Sequence, residues 1–160
     1  MRQIQGESEG RRIESMAVRM LHGDKVYEIE YETPKEFFNE LDKEFRFTLD
    51  PCSTHANAKC AKHYTKEENG LLQDWGGERV FMNPPYGKEI VEWVKKAAES
   101  NTLVVALIPA RTDTKWFHTY VLPYAEIRFI KGRLKFGNSK KVAPFSNLIA
   151  IYKGKEGDKK

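Results

Sequence analysis

The stretch Leu103-Val104-Val105-Ala106-Leu107-Ile108 decides the fold. Its apolar residues follow one another without polar alternation, as expected for a parallel strand that is buried on both faces. Immediately before it, residues 88–100 are predicted to form an amphipathic helix, because apolar side chains recur at helical spacing from Ile90 to Ala98. A buried strand that follows an amphipathic helix is typical of an α/β sheet.

The same alternation of helix and strand extends in both directions along the chain. Thr33-Pro34-Lys35-Glu36 has the pattern of a capping box and predicts that a helix begins there. Further strands are predicted at 47–50, 80–82, 125–130, 133–136 and 148–152, with the last two joined as a closing hairpin. The predicted fold is therefore an α/β, doubly wound, Rossmann-like sheet with helices on both faces.

The length of 160 residues fits one domain with a proper core. Residues 1–30 are polar and charge-mixed, and we expect a mobile arm with a short hairpin near His22. Residues 31–153 are the predicted folded domain, and 154–160 a disordered tail. No apolar run reaches the ~20 residues of a membrane span, and the N-terminus lacks a signal-peptide pattern, so a cytoplasmic location without a membrane partner is predicted.

Charge and cysteine content narrow the class of partner. The formal net charge is +4 and the pI is about 9.0, which fits a polyanionic partner, although many basic proteins bind no nucleic acid. Cys52-x-x-His55 and Cys60-x-x-His63 have residue types that can bind zinc. Buried thiols and exposed imidazoles are the favoured interpretation, and no metal site is predicted.

The tetrapeptide Asn83-Pro84-Pro85-Tyr86 follows the predicted strand at 80–82. Its prolines fix two φ angles, remove two N–H donors and hold Asn83 in an extended conformation. On this rigid segment the Asn83 amide oxygen and the Pro84 carbonyl can point the same way. Such paired acceptors beside an aromatic ring suit a planar group with an exocyclic amine, whereas the structural alternative is a simple turn with Tyr86 as a packing residue.

Six segments, in this order, resemble the phage-type, Dam-like DNA N6-adenine methyltransferases, and the match runs from about Thr33 to Tyr152. The segments are 47–52, 57–60, 69–71, 81–87, 109–117 and 130–137. The resemblance implies a methyltransferase fold, S-adenosylmethionine as cofactor, DNA as partner, and a bacterial or phage-infected cell as location. One departure is that Asp50-Pro51-Cys52-Ser53-Thr54-His55 contains no glycine, whereas many methyltransferases have a glycine-rich loop after the first strand.

The resemblance also implies roles for individual residues. Asn83, Pro84 and Tyr86 are the expected catalytic residues, with the two acceptors binding the target amine and the Tyr86 ring stacking on an extruded adenine. Stacking does not require the Tyr86 hydroxyl. At the cofactor, the match implies Thr33 and Pro34 over the methionine end, while the turn of Asp50, Pro51 and Cys52 is expected to line the pocket because Asp50 ends a strand. Glu67, Glu68 or Asn69 could meet the ribose or the adenine ring, with Glu68 and Asn69 taken as the candidates.

A third group of residues is expected at the DNA. Basic side chains neutralise phosphates, although lysine-rich loops are also ordinary soluble surface. The expected nucleic-acid contacts are Arg111, Lys131, Arg133, Lys135, Phe136, Lys140 and Lys141. Phe136 and Phe145 could close the second face of the target base, but a core position is favoured for both.

Two alternatives stay open at this point. The first is another amine substrate: cytosine N4, an RNA base or a protein glutamine amide. The second is a catalytically idle nucleic-acid-binding module, against which the intact Asn83 and Tyr86 argue. The recognition sequence and the oligomeric state have no signal in the chain.

Overall fold

The computed structural model of the protein describes residues 17–22, 25–137 and 142–154. Near the N-terminus, β1 (Ala17–His22) and β2 (Lys25–Glu30) pair as an antiparallel hairpin, in which His22 lies opposite Lys25. This confirms the expected hairpin. The mobility of the arm stays a prediction, and residues 155–160 of the expected tail lie outside the described residues.

The main sheet has six strands in the order β4-β3-β5-β6-β8-β7. In chain order, α1 (Lys35–Phe45) precedes β3 (Leu49–Asp50), β4 (Lys62–His63) and a 3₁₀ turn at Gly70–Leu72. Then follow β5 (Arg79–Met82), α2 (Ile90–Glu99), β6 (Leu103–Pro109), a π-helical turn at Phe117–Val121, β7 (Glu126–Phe129) and β8 (Asn147–Tyr152). Only β8 runs against its neighbours, because it pairs antiparallel with β6 and β7 while the other pairs are parallel.

Two hydrophobic clusters cover the two faces of this sheet. Val80 and Met82 of β5 join the cluster that contains α2, whereas Phe81 between them joins the cluster that contains α1. This alternation follows from the two-residue period of a strand. The apolar run 103–108 is the interior strand β6, and its buried side chains divide between the same two clusters.

Two details of the expected fold are wrong. Residues 133–136 form no strand, and the closing pair is β7 with β8. Phe136 is buried among aromatic rings and the Gly137 N–H donates to the Glu32 carbonyl at 2.8 Å, so this segment is held by tertiary contacts that a local pattern does not encode. Among the described helices, none has the length and apolar character needed to cross a membrane.

Candidate active site

The crevice at the carboxyl edge of β3 and β5 brings the two predicted strand-end residues together. From these central strands the sheet continues to β4 on one side and to β6 on the other, and such a switch in strand order opens a ligand crevice in α/β sheets. Asp50 is the last residue of β3 and Asn83 directly follows β5. Both line one small cavity together with Thr33.

The Asn83 side chain is buried, and three hydrogen bonds define its orientation. Its Nδ2 donates to the Tyr31 carbonyl at 2.6 Å and to Thr33 Oγ1 at 3.0 Å. Because a carbonyl only accepts, the amide nitrogen must lie on this side. The Oδ1 atom therefore faces the other way, where it accepts from the Tyr86 hydroxyl at 2.8 Å.

The capping role expected for Thr33 is wrong. Pro34 precedes the first turn of α1, and no side chain caps this helix. The Thr33 hydroxyl instead accepts a hydrogen bond from the Asn83 amide. Because this amide is buried away from water, it needs an acceptor within the protein. Thr33 and Pro34 therefore join α1 to the carboxyl edge of β5.

The hydroxyl of Tyr86 is part of the site, which sequence reasoning had missed. Besides its bond to Asn83, its oxygen lies 3.2 Å from Asn147 Nδ2. Burial raises the pKa of Tyr86 well above its usual value, so the phenol stays protonated and can donate. The carboxyl-edge network, as we call Tyr31, Thr33, Asn83, Tyr86 and Asn147, spans three separate parts of the sequence.

The ring of Tyr86 is covered in this state. Tyr31 stacks on it with the ring centroids 5.6 Å apart, and Phe145 meets it edge-on at 5.4 Å. Phe136 is buried against Tyr31, with the centroids 5.2 Å apart. Phe136 therefore holds a core position, as the sequence favoured, and its contact with nucleic acid stays a prediction.

The Asp50 carboxylate is buried at the end of β3 and is satisfied by backbone donors. Its Oδ1 accepts from the Cys52 N–H at 3.2 Å and its Oδ2 from the Lys59 N–H at 2.9 Å. Desolvation raises the pKa of Asp50, while these two bonds oppose the shift. The result is a carboxyl group held rigidly at the mouth of the crevice.

A cleft of about 460 Å³ lies beside the small cavity, within the size range of small-molecule sites. Three of the residues expected at the cofactor line it: Pro51, Cys52 and Asn69. Cys52, Ser53 and Asn57 line both spaces, so the cleft is next to the cavity of Asp50 and Asn83. Ser53 is nearly buried, and its Oγ has no hydrogen-bond partner among the described residues.

The loop after β3 contains no glycine, but Gly70 in a later loop packs closely against it. A Cβ placed on Gly70 would come within 2.0 Å of the Pro51 carbonyl oxygen. Asn69 Oδ1 accepts from the Leu71 N–H at 3.1 Å and starts the 3₁₀ turn. The loop of Gly70 therefore packs against Pro51 and forms a wall of the cleft.

Glu68, the other candidate for the cofactor, does not line the cleft. Its Oε1 instead accepts from the N–H and the hydroxyl of Thr65, both at 3.1 Å, and these bonds lower the pKa of Glu68. An unpredicted carboxylate, Glu89, does line the cleft. Its position just before α2 depends on the path of the chain after Pro85, which no local pattern revealed.

The four cysteine and histidine side chains of the zinc alternative make other contacts. His55 Nδ1 lies 2.9 Å from His63 Nε2, while His63 Nδ1 lies 2.9 Å from the Ala61 carbonyl. In the described part of the chain, no group of three or more His, Cys, Asp or Glu side chains could hold a metal ion. Burial also raises the pKa of Cys60 to about 12.

The basic candidates lie at the same edge of the sheet. Arg111 comes two residues after β6, and Lys131 two residues after β7, which runs in the same direction as β6. With Arg133 and Lys135, these side chains are exposed, and none has a hydrogen bond or ion pair within the described ranges. Lys140 and Lys141 lie outside those ranges.

Taken together, fold and site define an α/β protein with a small-molecule cleft, buried amide acceptor and basic rim at one edge of its sheet. The family model described as DNA N-6-adenine-methyltransferase (Dam) matches residues 24–151. The chain belongs to this family, which confirms the resemblance found in the sequence.

Individual relatives agree with the family. The chain is 34% identical over 113 residues to a DNA N-6-adenine-methyltransferase of Haemophilus phage HP1, covering 67% of this chain and 65% of the relative. It is 34% identical over 109 residues to the protein of the same name from Escherichia phage T1, covering 65% and 45%. A putative methyltransferase of Escherichia coli, YfdM, is 40% identical over 65 residues, covering 36% and 70%. The chain thus spans less than two thirds of the two phage relatives, and no solved structure matches it.

Proposed function

We propose that this protein transfers a methyl group from S-adenosylmethionine to the N6 amine of adenine in DNA, within a bacterial or phage-infected cell. The observation that carries the proposal is the orientation of Asn83. The Tyr31 carbonyl fixes its amide nitrogen, so that its oxygen points towards the Tyr86 hydroxyl and is the atom available as an acceptor. A Rossmann-like methyltransferase sheet agrees with this edge arrangement, since the crevice lies at the switch in strand order.

The cleft supports binding of the cofactor. Its volume suits a nucleoside-sized ligand, and the Ser53 hydroxyl, which has no hydrogen-bond partner among the described residues, offers a buried polar contact. The Asp50 carboxylate, next to the shared wall of the two spaces, complements a cationic ligand. Pro51, Cys52 and Asn69 line the cleft, while Thr33 lines the adjoining small cavity and Pro34 follows it at the start of α1. Glu89, which lines the cleft, takes the role first expected for Glu68.

At the target end, Asn83 and Pro84 act on the adenine amine. The N6 lone pair is delocalised into the ring, and two acceptors that bind its hydrogens draw the nitrogen towards tetrahedral geometry. When bound, S-adenosylmethionine would supply an electrophilic methyl group and leave as S-adenosylhomocysteine once its S–CH3 bond breaks. Positioning and electrostatics favour transfer to an N6 that is held in line with that bond. Asn83 does not titrate, so the proton leaves to water after transfer.

An adenine within a duplex must first leave the stack. In this structure the Tyr31 ring covers one face of Tyr86. In the proposed complex the Tyr31 ring moves aside, and the target base stacks on Tyr86 in its place. The exposed cations at 111, 131, 133 and 135 hold the phosphates. Their position on the same edge as Asn83 supports nucleic acid over a protein amide as substrate.

The test uses tritiated S-adenosylmethionine with unmethylated DNA, RNA and a protein mixture, followed by nucleoside and amino-acid analysis. We expect label in N6-methyladenine from DNA. Label in N4-methylcytosine, in RNA or in methylglutamine would show that the substrate is that group and not adenine in DNA. Binding of DNA without any methyl transfer would support the idle module instead.

A further inference from the structure

Asn147, the first residue of β8, contacts the site although nothing in the sequence pointed to it. The residue is 2% exposed, and its Nδ2 donates to the Ile108 carbonyl and to the Tyr86 oxygen, both at 3.2 Å. It reaches this place because β8 pairs antiparallel with β6, which puts Asn147 opposite Pro109 at the carboxyl edge. None of the residues that bind it is its neighbour in sequence.

The direction of the hydrogen bonds in the carboxyl-edge network is set by backbone carbonyls at its two ends. The Ile108 carbonyl only accepts, which holds the amide nitrogen of Asn147 on its side. The second N–H then points to the Tyr86 oxygen, and the Tyr86 proton goes to Asn83 Oδ1 at 2.8 Å. The Leu107 carbonyl, at 3.2 Å, is the more distant acceptor for that proton.

The amide oxygen of Asn147 makes no hydrogen bond among the described residues, although it is buried. An unsatisfied buried acceptor destabilises the folded state, because it loses its bonds to water without replacement. Turning the amide over would not remove the cost, because Oδ1 would then face the Ile108 carbonyl. An asparagine is therefore held here at the expense of stability, as happens at functional sites.

We infer that Asn147 is a positioning residue for methyl transfer, which acts by holding the Tyr86 hydroxyl against Asn83 Oδ1. The inference rests on the proposed function. Donation by Asn147 polarises the phenol and strengthens its bond to Asn83. With the Asn83 amide held from both sides, its oxygen stays where the target amine arrives, and its second lone pair is available to that amine.

A double-mutant cycle tests this role, with Asn147→Leu and Tyr86→Phe alone and combined. In the native background, Asn147→Leu should lower kcat about tenfold, since the lost bond contributes about 1.4 kcal/mol, while KM for DNA stays the same. In the Tyr86→Phe background it should lower kcat no further, because the hydroxyl on which it acts is gone. Asn147→Ala removes the same donors without adding bulk and carries the same test if Asn147→Leu does not fold.

The matched control is Thr102→Val. It removes a partly buried hydrogen bond, from the Thr102 hydroxyl to the Glu78 carbonyl at 2.8 Å, just before the amino end of β6. This variant should lower the melting temperature and leave kcat unchanged. Equal losses of kcat from Asn147→Leu in both backgrounds, or no loss in the native one, would overturn the inference.

A second readout needs no activity. In protein labelled with ¹³Cζ-tyrosine, the Tyr86 resonance is the one absent from Tyr86→Phe, and Asn147→Leu should shift it. An unmoved resonance would overturn the inference even in an active enzyme. If the native protein methylates no adenine, the proposed function fails, whereas this resonance still shows whether Asn147 acts on Tyr86.

Discussion

The inner and outer halves of the carboxyl edge are built on different principles. In the inner half, at β3 and β5, Asp50 and Asn83 are buried and each side-chain oxygen or nitrogen has a defined partner. In the outer half, after β6 and β7, the side chains of Arg111 and Lys131 are exposed and make no hydrogen bond within the described ranges. The inner half is suited to holding reacting groups in fixed positions, and the outer half to attracting a charged partner. Substitutions in the two halves should therefore have different effects.

The largest effect is expected from the wall of the cleft. Gly70→Ala would bring a Cβ to 2.0 Å from the Pro51 oxygen and force the loop away. Overpacking of this kind typically costs about 1–3 kcal/mol of folding stability. Because binding would have to restore the displaced wall, cofactor affinity should fall by up to about a hundredfold. Calorimetry with S-adenosylhomocysteine measures it. Gly76→Ala is the control, since its Cβ meets only the flexible Asp74 carboxylate at 3.1 Å, and equal losses in both variants would show that the clash is not responsible.

Asp50→Asn should lower cofactor affinity about tenfold, because a charge-assisted contact contributes about 1.5–3 kcal/mol. Burial raises the pKa of Asp50, so the folded protein favours the protonated form of this carboxyl more than the unfolded chain does. The contribution of Asp50 to stability is therefore lost as the pH rises from about 3.9, the ordinary aspartate value, through the raised pKa.

Over the same interval the affinity for S-adenosylmethionine should increase, since the cation prefers the carboxylate. Calorimetry and thermal melts across this pH range check both signs. An affinity that is independent of pH in the native protein would show that Asp50 does not interact with the cofactor.

Tyr31 lies between the two halves. Tyr31→Ala removes the ring that stacks on Tyr86 and keeps the backbone carbonyl that holds Asn83. An aromatic pair contributes about 0.5–1.5 kcal/mol, so a target-site 2-aminopurine should bind up to about tenfold more tightly. Fluorescence titration measures this, with a melting curve to confirm folding. Weaker binding would mean that Tyr31 supports the base rather than giving way to it.

The smallest effect is expected in the outer half. Arg111→Ala should weaken DNA binding for all sequences alike and reduce the salt slope by about 1. Lys43→Ala is the control with the same change of charge, because Lys43 lies in the last turn of α1, towards the amino edge of the sheet. A sequence-selective loss with Arg111→Ala would indicate base readout instead of a phosphate contact.

The sequence predicted the inner half in outline, because the residues proposed to carry the chemistry stand at or directly after the ends of two strands. Buried strands and proline-fixed Asn83 are local signals, and parallel strands bring Asp50 and Asn83 to one edge. Thr33 was misassigned because its pattern fits a helix cap, whereas a partner 50 positions away in the chain determines its contact. Asn147 and Gly70 were missed for the same reason, since antiparallel pairing and loop packing place them.

For the outer half, the sequence predicted only that basic residues would be present, and not how the chain there would fold. Phe136 and the segment around it have strand-forming residues, but their contacts with Tyr31 and Glu32 hold them outside the sheet. A periodic pattern reports which face of an element is buried and contains no information on such distant partners. Side chains that depend on one local element were therefore predictable, and those that join elements were not.

The central claim, that Asn83 presents its oxygen to the target amine, is tested most directly by single-turnover methylation with Asn83→Ala. We expect the rate of N6-methyladenine formation to fall at least about a hundredfold, the loss typical of one preorganised polar group, with unchanged affinity for S-adenosylhomocysteine. Asn39→Ala, on the exposed side of α1, should remain fully active. Native rates in Asn83→Ala would contradict the account and leave the Asn-Pro-Pro-Tyr segment as a structural turn.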